Sequence, residues 1–281
     1  MLRAWTVASP LLVAAVLACT LPSAGAVQTA VVISLAASAA LVAASVTSAR
    51  TQWLVPTVFE GPPEGNRLAL TFDDGPDAVF TPQVLDLLRA HGAHATFFMV
   101  GARVEAHPEL ARRVCDEGHQ IGSHSFHHGS GFHFLSPRRM ADEIQRGIDS
   151  IERVTGMQPT AFRPPMGLRV PGLRKALARL RTRVTCVTWT RRALDTTGRP
   201  AQSLVARLDP YLVPGAILCL HDGRGFGGSM DRSATIEALG VLLPRITTLG
   251  LRCVRLDELG ASCGPARRQW GESPPTEKLA L

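Results

Sequence analysis

Two adjacent carboxylates, Asp73 and Asp74, are the side chains in this sequence best placed to do chemistry. They lie in the stretch LALTFDDGP (residues 68–76), where an apolar and β-branched run leads into the acids, and Gly75 and Pro76 follow. This pattern predicts a buried strand that presents both acids at its carboxyl end. Because neighbouring strand residues point to opposite sides, one acid can bind a metal while the other acts on a substrate or a water molecule. A plain turn is the alternative, since Asp, Gly and Pro all favour turns.

A cluster of histidines supplies further candidate metal ligands. Four of the nine histidines lie within residues 124–133, and His124 and His128 are four positions apart in the stretch HSFHH. On a helical turn this spacing places two imidazoles on one face, which suits a divalent metal. Two histidines and one carboxylate leave open positions for water and substrate, as a catalytic metal requires. His127 is an alternative to His128, and a single histidine of this kind is more often structural.

The chain beyond residue 66 alternates between strand-like and helix-like segments. Strand-like runs are LALTFDD, ATFFMVG, residues 121–123, the segment ending at Phe162, residues 183–189, AILCLHD and residues 252–256. Helical segments are expected at 81–90, 108–118, 137–154, 173–180, 201–208 and 234–249, the first with Thr81 as its N-cap before Pro82. About seven βα units with nearly continuous apolar strands predict an α/β fold with parallel strands in a closed or nearly closed barrel.

Polar side chains fall at the carboxyl ends of the predicted strands. Besides Asp73 and Asp74, they are His124, Arg163, His221 and, a few residues after its strand, Asp195. In parallel barrels the chemistry takes place at this end of the strands, so these side chains are expected to converge.

Two uncharged apolar runs precede the barrel, at residues 4–21 and 30–46. Each is near the lower limit of about 17–25 residues for a membrane-spanning helix. Arg3 before the first run and Arg50 after the second predict a hairpin with both ends in the cytoplasm, by the positive-inside rule. Alternatively, the first run is a signal peptide cleaved at the sequence AGA of residues 24–26.

These features divide the chain into four parts. Residues 1–50 are expected to contain one or two membrane helices, and 51–66 to form a linker with Pro and Gly. Residues 67–260 form the predicted catalytic domain, and 261–281 a mobile tail.

Composition limits the classes of partner. With 46% hydrophobic and 19% charged residues, the 281-residue chain can bury a substantial core. The net charge of +7 is mostly arginine, and the basic residues are densest in residues 169–192. This run is either a site for an anionic glycan or lipid headgroup or a solvated helix face. It has too few aromatic residues to indicate nucleic-acid binding. The six cysteines form no CxxC pair, and those in apolar runs are expected to behave as small hydrophobes.

Four motifs in order resemble those of the polysaccharide deacetylase family, the carbohydrate esterases with NodB homology. They are TFDDGP at 71–76, HSFHH at 124–128, RPPMG at 163–167 and LHD at 220–222, and the resemblance covers roughly residues 68–259. It implies a distorted (β/α) barrel and metal-dependent removal of acetyl groups from N-acetylhexosamine units.

Carried over by position, the resemblance implies a role for each candidate residue. Asp73 resembles the general base and His221 the general acid, with Arg163 orienting the first and Asp195 tuning the second. The implied metal ligands are Asp74, His124 and His128, for one divalent ion that is zinc in the first instance, with cobalt or nickel as alternatives. The substrate and oxyanion contacts map to Pro165 and Met166. The chain departs from the family pattern at four positions, Met166, Arg192, Thr196 and Cys219.

The favoured function is therefore a membrane-attached glycan N-deacetylase with an acetylated glycan as substrate and membrane lipid as a second partner. Amide hydrolysis needs an activated water, a stabilised oxyanion and a proton for the leaving amine, and the candidate residues offer all three. A metal-dependent hydrolase of another amide or ester, and a catalytically silent glycan-binding protein, are the alternatives. The family resemblance favours a catalytic domain outside the cytoplasm, whereas the flanking arginines favour the cytoplasmic side.

Overall fold

A parallel sheet forms the centre of the catalytic domain. The computed structural model describes residues 24–48, 51–223 and 231–260 of the chain. The strands are β1 (Arg67–Asp73), β2 (Ala95–Met99), β3 (Gln120–Ser123), β4 (Ala161–Phe162), β5 (Thr185–Cys186), β6 (Arg191–Arg192), β7 (Ile217–His221) and β8 (Arg252–Cys253). Seven of them pair in the order β5-β4-β3-β2-β1-β7-β6, and β8 pairs with the start of β1. All these pairings are parallel and form a half-barrel, which confirms the predicted fold class.

Helices follow the strands and cover the outside of the sheet. They are α2 (Phe80–Ala90), α3 (Gly101–Ala106), α4 (Pro108–Asp116), α5 (Pro137–Thr155), α6 (Pro171–Leu177), α7 (Ala201–Leu208), α8 (Ser233–Thr248) and α9 (Leu256–Leu259). The longest of these, α5, begins where the Ser136 hydroxyl accepts a hydrogen bond from the Arg139 amide, and it ends at Gly156 with a φ of 73°.

The two faces of β1 explain why its residues 68–72 are all buried and mostly apolar. Leu68, Leu70 and Phe72 belong to the core between sheet and helices, where the Phe72 ring stacks on that of Phe97 at 5.1 Å between centroids. Ala69 belongs to a second core inside the barrel. Because strand residues alternate, Asp73 shares the face of Ala69 and enters the barrel interior at its upper end.

Local structure differs from the predictions at three places. Thr81 is not an N-cap: α2 begins one residue earlier, and the Thr81 hydroxyl donates to Asp222 Oδ2 at 2.6 Å. The strand expected over residues 183–189 is shorter: it covers Thr185–Cys186, followed by an isolated bridge at Val187. Residues 101–106 form the additional helix α3.

The segment before β1 is packed against the barrel. Val55, Thr57 and Val58 are buried, and Val58 forms a parallel bridge with Val187 beyond β5. Further along, the Gly61 amide donates to the Gly215 carbonyl at 2.7 Å. The stretch predicted as a linker therefore lies across the open side of the half-barrel.

One helix precedes this segment, α1 (Ala24–Thr47), which contains the AGA sequence of residues 24–26. Among the described residues, its part Gln28–Thr47 is the one stretch long and apolar enough to cross a membrane, with a mean hydropathy of 2.1. The first apolar run, Arg3, Arg50 and the tail 261–281 lie outside the described residues.

Candidate active site

Asp73 and Asp74 join two different groups of side chains at the end of β1. Asp73 is the register partner of His221 on β7. Asp74 leaves the strand with a φ of 74° and lies with His124 and His128. The next residue must be glycine, because a Cβ at Gly75 would overlap the carboxylate of Asp222. The stretch is thus a strand end and a tight turn at once, so both sequence interpretations describe part of it.

Asp74, His124 and His128 form a candidate metal centre. Oδ1 of Asp74 lies 3.6 Å from Nε2 of His124 and 3.3 Å from Nε2 of His128. Ligands about 2.1 Å from a tetrahedral ion are about 3.4 Å apart, so these separations suit one small cation. The Asp74 oxygen is buried and has no hydrogen-bond partner among the described residues. A buried carboxylate oxygen is costly unless something neutralises it, so the geometry and the donor set both fit a divalent ion.

His124 is held in the form that a metal ligand requires. Its Nδ1 lies 2.7 Å from the carbonyl oxygen of Arg163, which fixes the proton on Nδ1 and leaves the Nε2 lone pair facing Asp74. Burial lowers the pKa of His124 to about 4, and the nearby acids oppose this only in part. The imidazole is therefore neutral at pH 7.

The HSFHH stretch is a loop and not the helical turn expected from its spacing. Ser125 and His128 have φ values of 67° and 53°, and the Ser125 hydroxyl accepts a hydrogen bond from the His128 amide at 3.1 Å. These two left-handed residues curl the loop so that the imidazoles of His124 and His128 meet, with ring centroids 4.7 Å apart. His127 instead binds Glu143 at 2.9 Å through Nδ1 and is 56% exposed. It does not replace His128.

Asp73 is held as an ionised carboxylate inside the barrel. Arg163, which is fully buried, donates from Nη1 to Asp73 Oδ1 at 2.6 Å and from Nη2 to the Thr188 carbonyl at 2.6 Å. Burial raises the pKa of Asp73, but the charge and hydrogen bond of Arg163, together with the charge of His221, outweigh it and leave the pKa below its usual value. The carboxylate can therefore accept a proton near neutral pH.

The other oxygen of Asp73 faces Cys219 on β7. The Cys219 thiol donates to Asp73 Oδ2 at 3.5 Å. Cys219, Asp73 and His221 are close enough together to form a second possible metal group. Burial and the nearby acid raise the thiol pKa well above its usual value, so the sulfur keeps its proton and is not the thiolate that metals bind. The first group is therefore the better metal site.

His221 is held as a cation by Asp195. Its Nδ1 donates to Asp195 Oδ1 at 2.8 Å, and its backbone amide donates to Asp195 Oδ2 at 2.8 Å. Thr235 donates to the same Oδ2 at 2.9 Å, which fixes the carboxylate. Burial alone would lower the pKa of His221, but the Asp195 charge and hydrogen bond outweigh it and raise the pKa to about 9. Leu194, with a φ of 65°, turns the chain so that Asp195 reaches this position.

A short turn carries the two residues expected at the oxyanion. It runs over Pro165–Gly167, with Pro165 buried and the Met166 side chain 61% exposed at a φ of 55°. The Trp189 ring packs directly on Gly167, where any side chain would overlap it. The exposed Arg192 lies over Trp189, with its guanidinium carbon 5.8 Å from the ring centroid.

Comparison with known proteins places this constellation in a family. The polysaccharide deacetylase family model matches residues 60–185. A peptidoglycan-N-acetylglucosamine deacetylase of Bacillus cereus is 36% identical over 201 residues, which cover 72% of this chain and 91% of the relative. The chain belongs to the polysaccharide deacetylase family.

Solved structures of this deacetylase family share the fold. The Bc1960 peptidoglycan N-acetylglucosamine deacetylase, solved with a naphthalenyl-N-oxidanyl-benzamide, aligns with a TM-score of 0.65 at 30% identity over 72% of this chain and 91% of that one. A family 4 acetyl xylan esterase from Clostridium thermocellum, solved with a cobalt ion, aligns with a TM-score of 0.61 at 33% identity. That alignment covers 69% of this chain and 89% of the esterase.

Several residues of this polysaccharide deacetylase site were not among the site residues predicted from the sequence. Arg103 donates from Nη1 to the Asp74 carbonyl, and Asp222 accepts from Thr81 under the same turn. Thr235 fixes Asp195 from α8, 40 positions along the chain. Trp189 lies at the end of a strand-like run. The expectation that functional side chains lie at strand ends, which identified Arg163 and His221, would have identified Trp189 as well.

Proposed function

We propose that this polysaccharide deacetylase is a metal-dependent hydrolase that removes N-acetyl groups from N-acetylhexosamine units of a glycan. The observation that carries the proposal is the position of three groups around one mouth: the Asp74, His124 and His128 cluster, ionised Asp73, and protonated His221. The named relative from Bacillus cereus supports an N-acetylglucosamine polymer such as peptidoglycan as the substrate class.

Asp74, His124 and His128 would hold the divalent ion. Their one oxygen and two imidazole nitrogens suit zinc, and cobalt or nickel accept the same donors. Such an ion, when bound, lowers the pKa of a water ligand and polarises a carbonyl.

The chain's own residues supply the proton transfers. Asp73, kept ionised by Arg163, accepts a proton from the attacking water. His221, kept protonated by Asp195, donates a proton to the nitrogen of the leaving amine. The turn with Pro165 and Met166 would place a backbone N–H against the developing oxyanion, as hydrolysis of an amide requires.

The proposal includes attachment to a membrane. Helix α1 supports it, because a helix of 24 residues is about 36 Å long and exceeds the roughly 30 Å of a hydrocarbon core. In this arrangement residues 67–260 form the catalytic domain, on the extracytoplasmic side where glycans of this class are displayed.

Acetate release provides the test. The full chain in detergent is incubated with acetylated glucosamine oligomers, with peptidoglycan and with an acetyl ester of xylan, before and after chelation and with zinc, cobalt or nickel added back. We expect acetate from a glucosamine substrate, loss of activity with chelator and recovery with metal. Release from the ester alone would replace the proposed substrate, and release that chelation leaves unchanged would refute the metal dependence. No release from any substrate would favour the silent glycan-binding alternative.

A further inference from the structure

Arg169 connects the active-site turn to the N-terminal helix. It follows Met166 by three residues and is fully buried. Its guanidinium donates from Nη1 to the Thr51 carbonyl at 2.6 Å and from Nη2 to the carbonyls of Ser45 and Ser48. Its backbone amide donates to the Val46 carbonyl at 3.1 Å. Arg169 thus bonds the Ser45 and Val46 carbonyls in the last turn of α1 and the Ser48 carbonyl just beyond it, which also accepts from the Thr51 amide at 3.0 Å.

The contact fixes how far the site lies from the end of α1. Three residues span at most about 11 Å, and the amide of Arg169 is itself bonded to the last turn of the helix. Met166 is therefore within about 14 Å of that turn. If α1 crosses a bilayer, its last turn lies in the headgroup layer, and the mouth of the site opens just above the lipid surface.

The chain between α1 and the barrel is held as well. Thr57 donates from its amide to the Gln52 side chain at 2.7 Å, and the Val58 amide donates to the Cys186 carbonyl at 2.9 Å. Val55 is 1% exposed within the core of α5 and α6. These contacts exclude a long flexible tether over residues 51–58, so the barrel keeps one orientation relative to the helix.

The chain that follows Arg169 is rich in exposed basic residues. Residues 169–192 contain eight basic residues and no acidic one. Lys175, Arg179 and Arg183, within 14 positions of the buried arginine, are exposed. An anionic bilayer surface attracts basic residues that lie within a Debye length of it.

We propose that Arg169 locks the barrel onto the end of α1, so that the site acts on acetylated saccharides held close to the membrane by a lipid anchor. This inference rests on the proposed deacetylase function and names its substrate class. A barrel on a flexible tether would reach anchored sugars at any height. A barrel locked by Arg169 would reach only sugars that are displayed near the lipid surface.

The test compares the height at which a saccharide is displayed. The full chain is placed in vesicles of phosphatidylcholine and phosphatidylglycerol with an acetylated glucosamine tetramer, either free or coupled to a phospholipid. The coupling is direct in one substrate and uses a polyproline spacer of about 60 Å in the other. We expect the directly coupled tetramer to release acetate at least about tenfold faster than the spaced one, because only it holds the sugar at the height of the site.

Arg169→Ala should abolish this preference while the rate on the free tetramer stays unchanged. Arg169→Lys, which keeps the charge but not the planar fork of donors, should restore it in part. Arg179→Ala, which removes an exposed arginine ten positions along, should keep the preference of the wild type. Equal rates on the two coupled substrates in the wild type, or an undiminished preference in Arg169→Ala, would overturn the proposal.

Amide hydrogen exchange separates the lock from the chemistry. In Arg169→Ala, residues 45–58 should exchange faster, while β1 exchanges as in the wild type and so reports an intact barrel. Unchanged exchange in residues 45–58 would refute the lock even in an active enzyme. If the free tetramer releases no acetate, the proposed function fails, and the exchange result still decides whether the lock exists.

Discussion

Replacement of Asp195 by asparagine tests the acid most directly. In the wild type the pKa of His221 is raised to about 9 from an ordinary value of 6.5. Burial lowers this pKa, and the charge and hydrogen bond of Asp195 are the main causes that raise it. A shift of this size corresponds to about 3 kcal/mol of preference for the protonated ring. Asparagine keeps the shape but removes the charge. Its NH2 group, facing Nδ1, favours the neutral imidazole.

In Asp195→Asn the pKa of His221 should fall to about 6.5 or below, because burial still lowers it and the Asp195 charge no longer raises it. At about pH 8 the protonated fraction would drop from about nine-tenths to about 3%, a loss of roughly thirtyfold. At about pH 6 the two enzymes should differ by less than about fourfold. A bound cation lowers the pKa in both enzymes alike and leaves the difference between them.

The assay is the initial rate of acetate release from about pH 5 to pH 10, reported as kcat/KM so that it reflects the free enzyme. The basic limb should move to lower pH, and the acidic limb, which belongs to Asp73 and its surroundings, should stay. Arg192→Ala is the matched control, because the Arg192 side chain lies over Trp189, and it should leave both limbs in place. A basic limb that does not move in Asp195→Asn would refute His221 as the acid held protonated by this carboxylate.

Three further outcomes follow from the site. His124→Ala should lose metal and activity together, measured by metal analysis and acetate release, and an unchanged content of about one ion per chain would contradict its role as a ligand. Asp73→Asn should retain metal but lose about 10²–10⁴-fold in turnover, whereas Asp74→Asn should lose the metal, and equal metal loss in both would show the roles to be misassigned. Protease added to intact spheroplasts should degrade the barrel if it lies outside the cytoplasm, and full protection would favour the cytoplasmic hairpin.

Sequence predicted the sheet well because burial on both faces leaves a simple pattern. In β1 the apolar residues alternate between two cores, so LALTF is apolar except for the buried Thr71, and a charged residue marks its carboxyl end. The same rule located Arg163 and His221, whose partners Asp73 and Asp195 also follow strands. Strand ends can be predicted because the pattern that marks them is local in the chain.

The predictions were wrong where distant residues override a local signal. Thr81 before Pro82 fits an N-cap, but its hydroxyl donates a hydrogen bond to Asp222, which is 141 positions away. The spacing of His124 and His128 fits a helical turn, but α5 approaches the loop so closely that a Cβ at Gly147 would overlap the Ser125 backbone. The loop is left-handed at Ser125 and His128, and the two imidazoles still converge. The sequence therefore predicted correctly that these two imidazoles lie together, but it predicted the wrong backbone conformation for the loop that carries them.

Arg163 links the two halves of the candidate site, one through its carbonyl and the other through its guanidinium. Its carbonyl accepts from Nδ1 of His124, while the guanidinium of the same residue holds Asp73. One buried residue therefore fixes both the tautomer of a candidate metal ligand and the charge of the candidate base. The ring of Phe98, 4.0 Å from the guanidinium carbon, covers the cation from inside the barrel. Lysine at this position would lack the planar fork that reaches Asp73 and the Thr188 carbonyl together, so the site depends on arginine for its geometry as well as its charge.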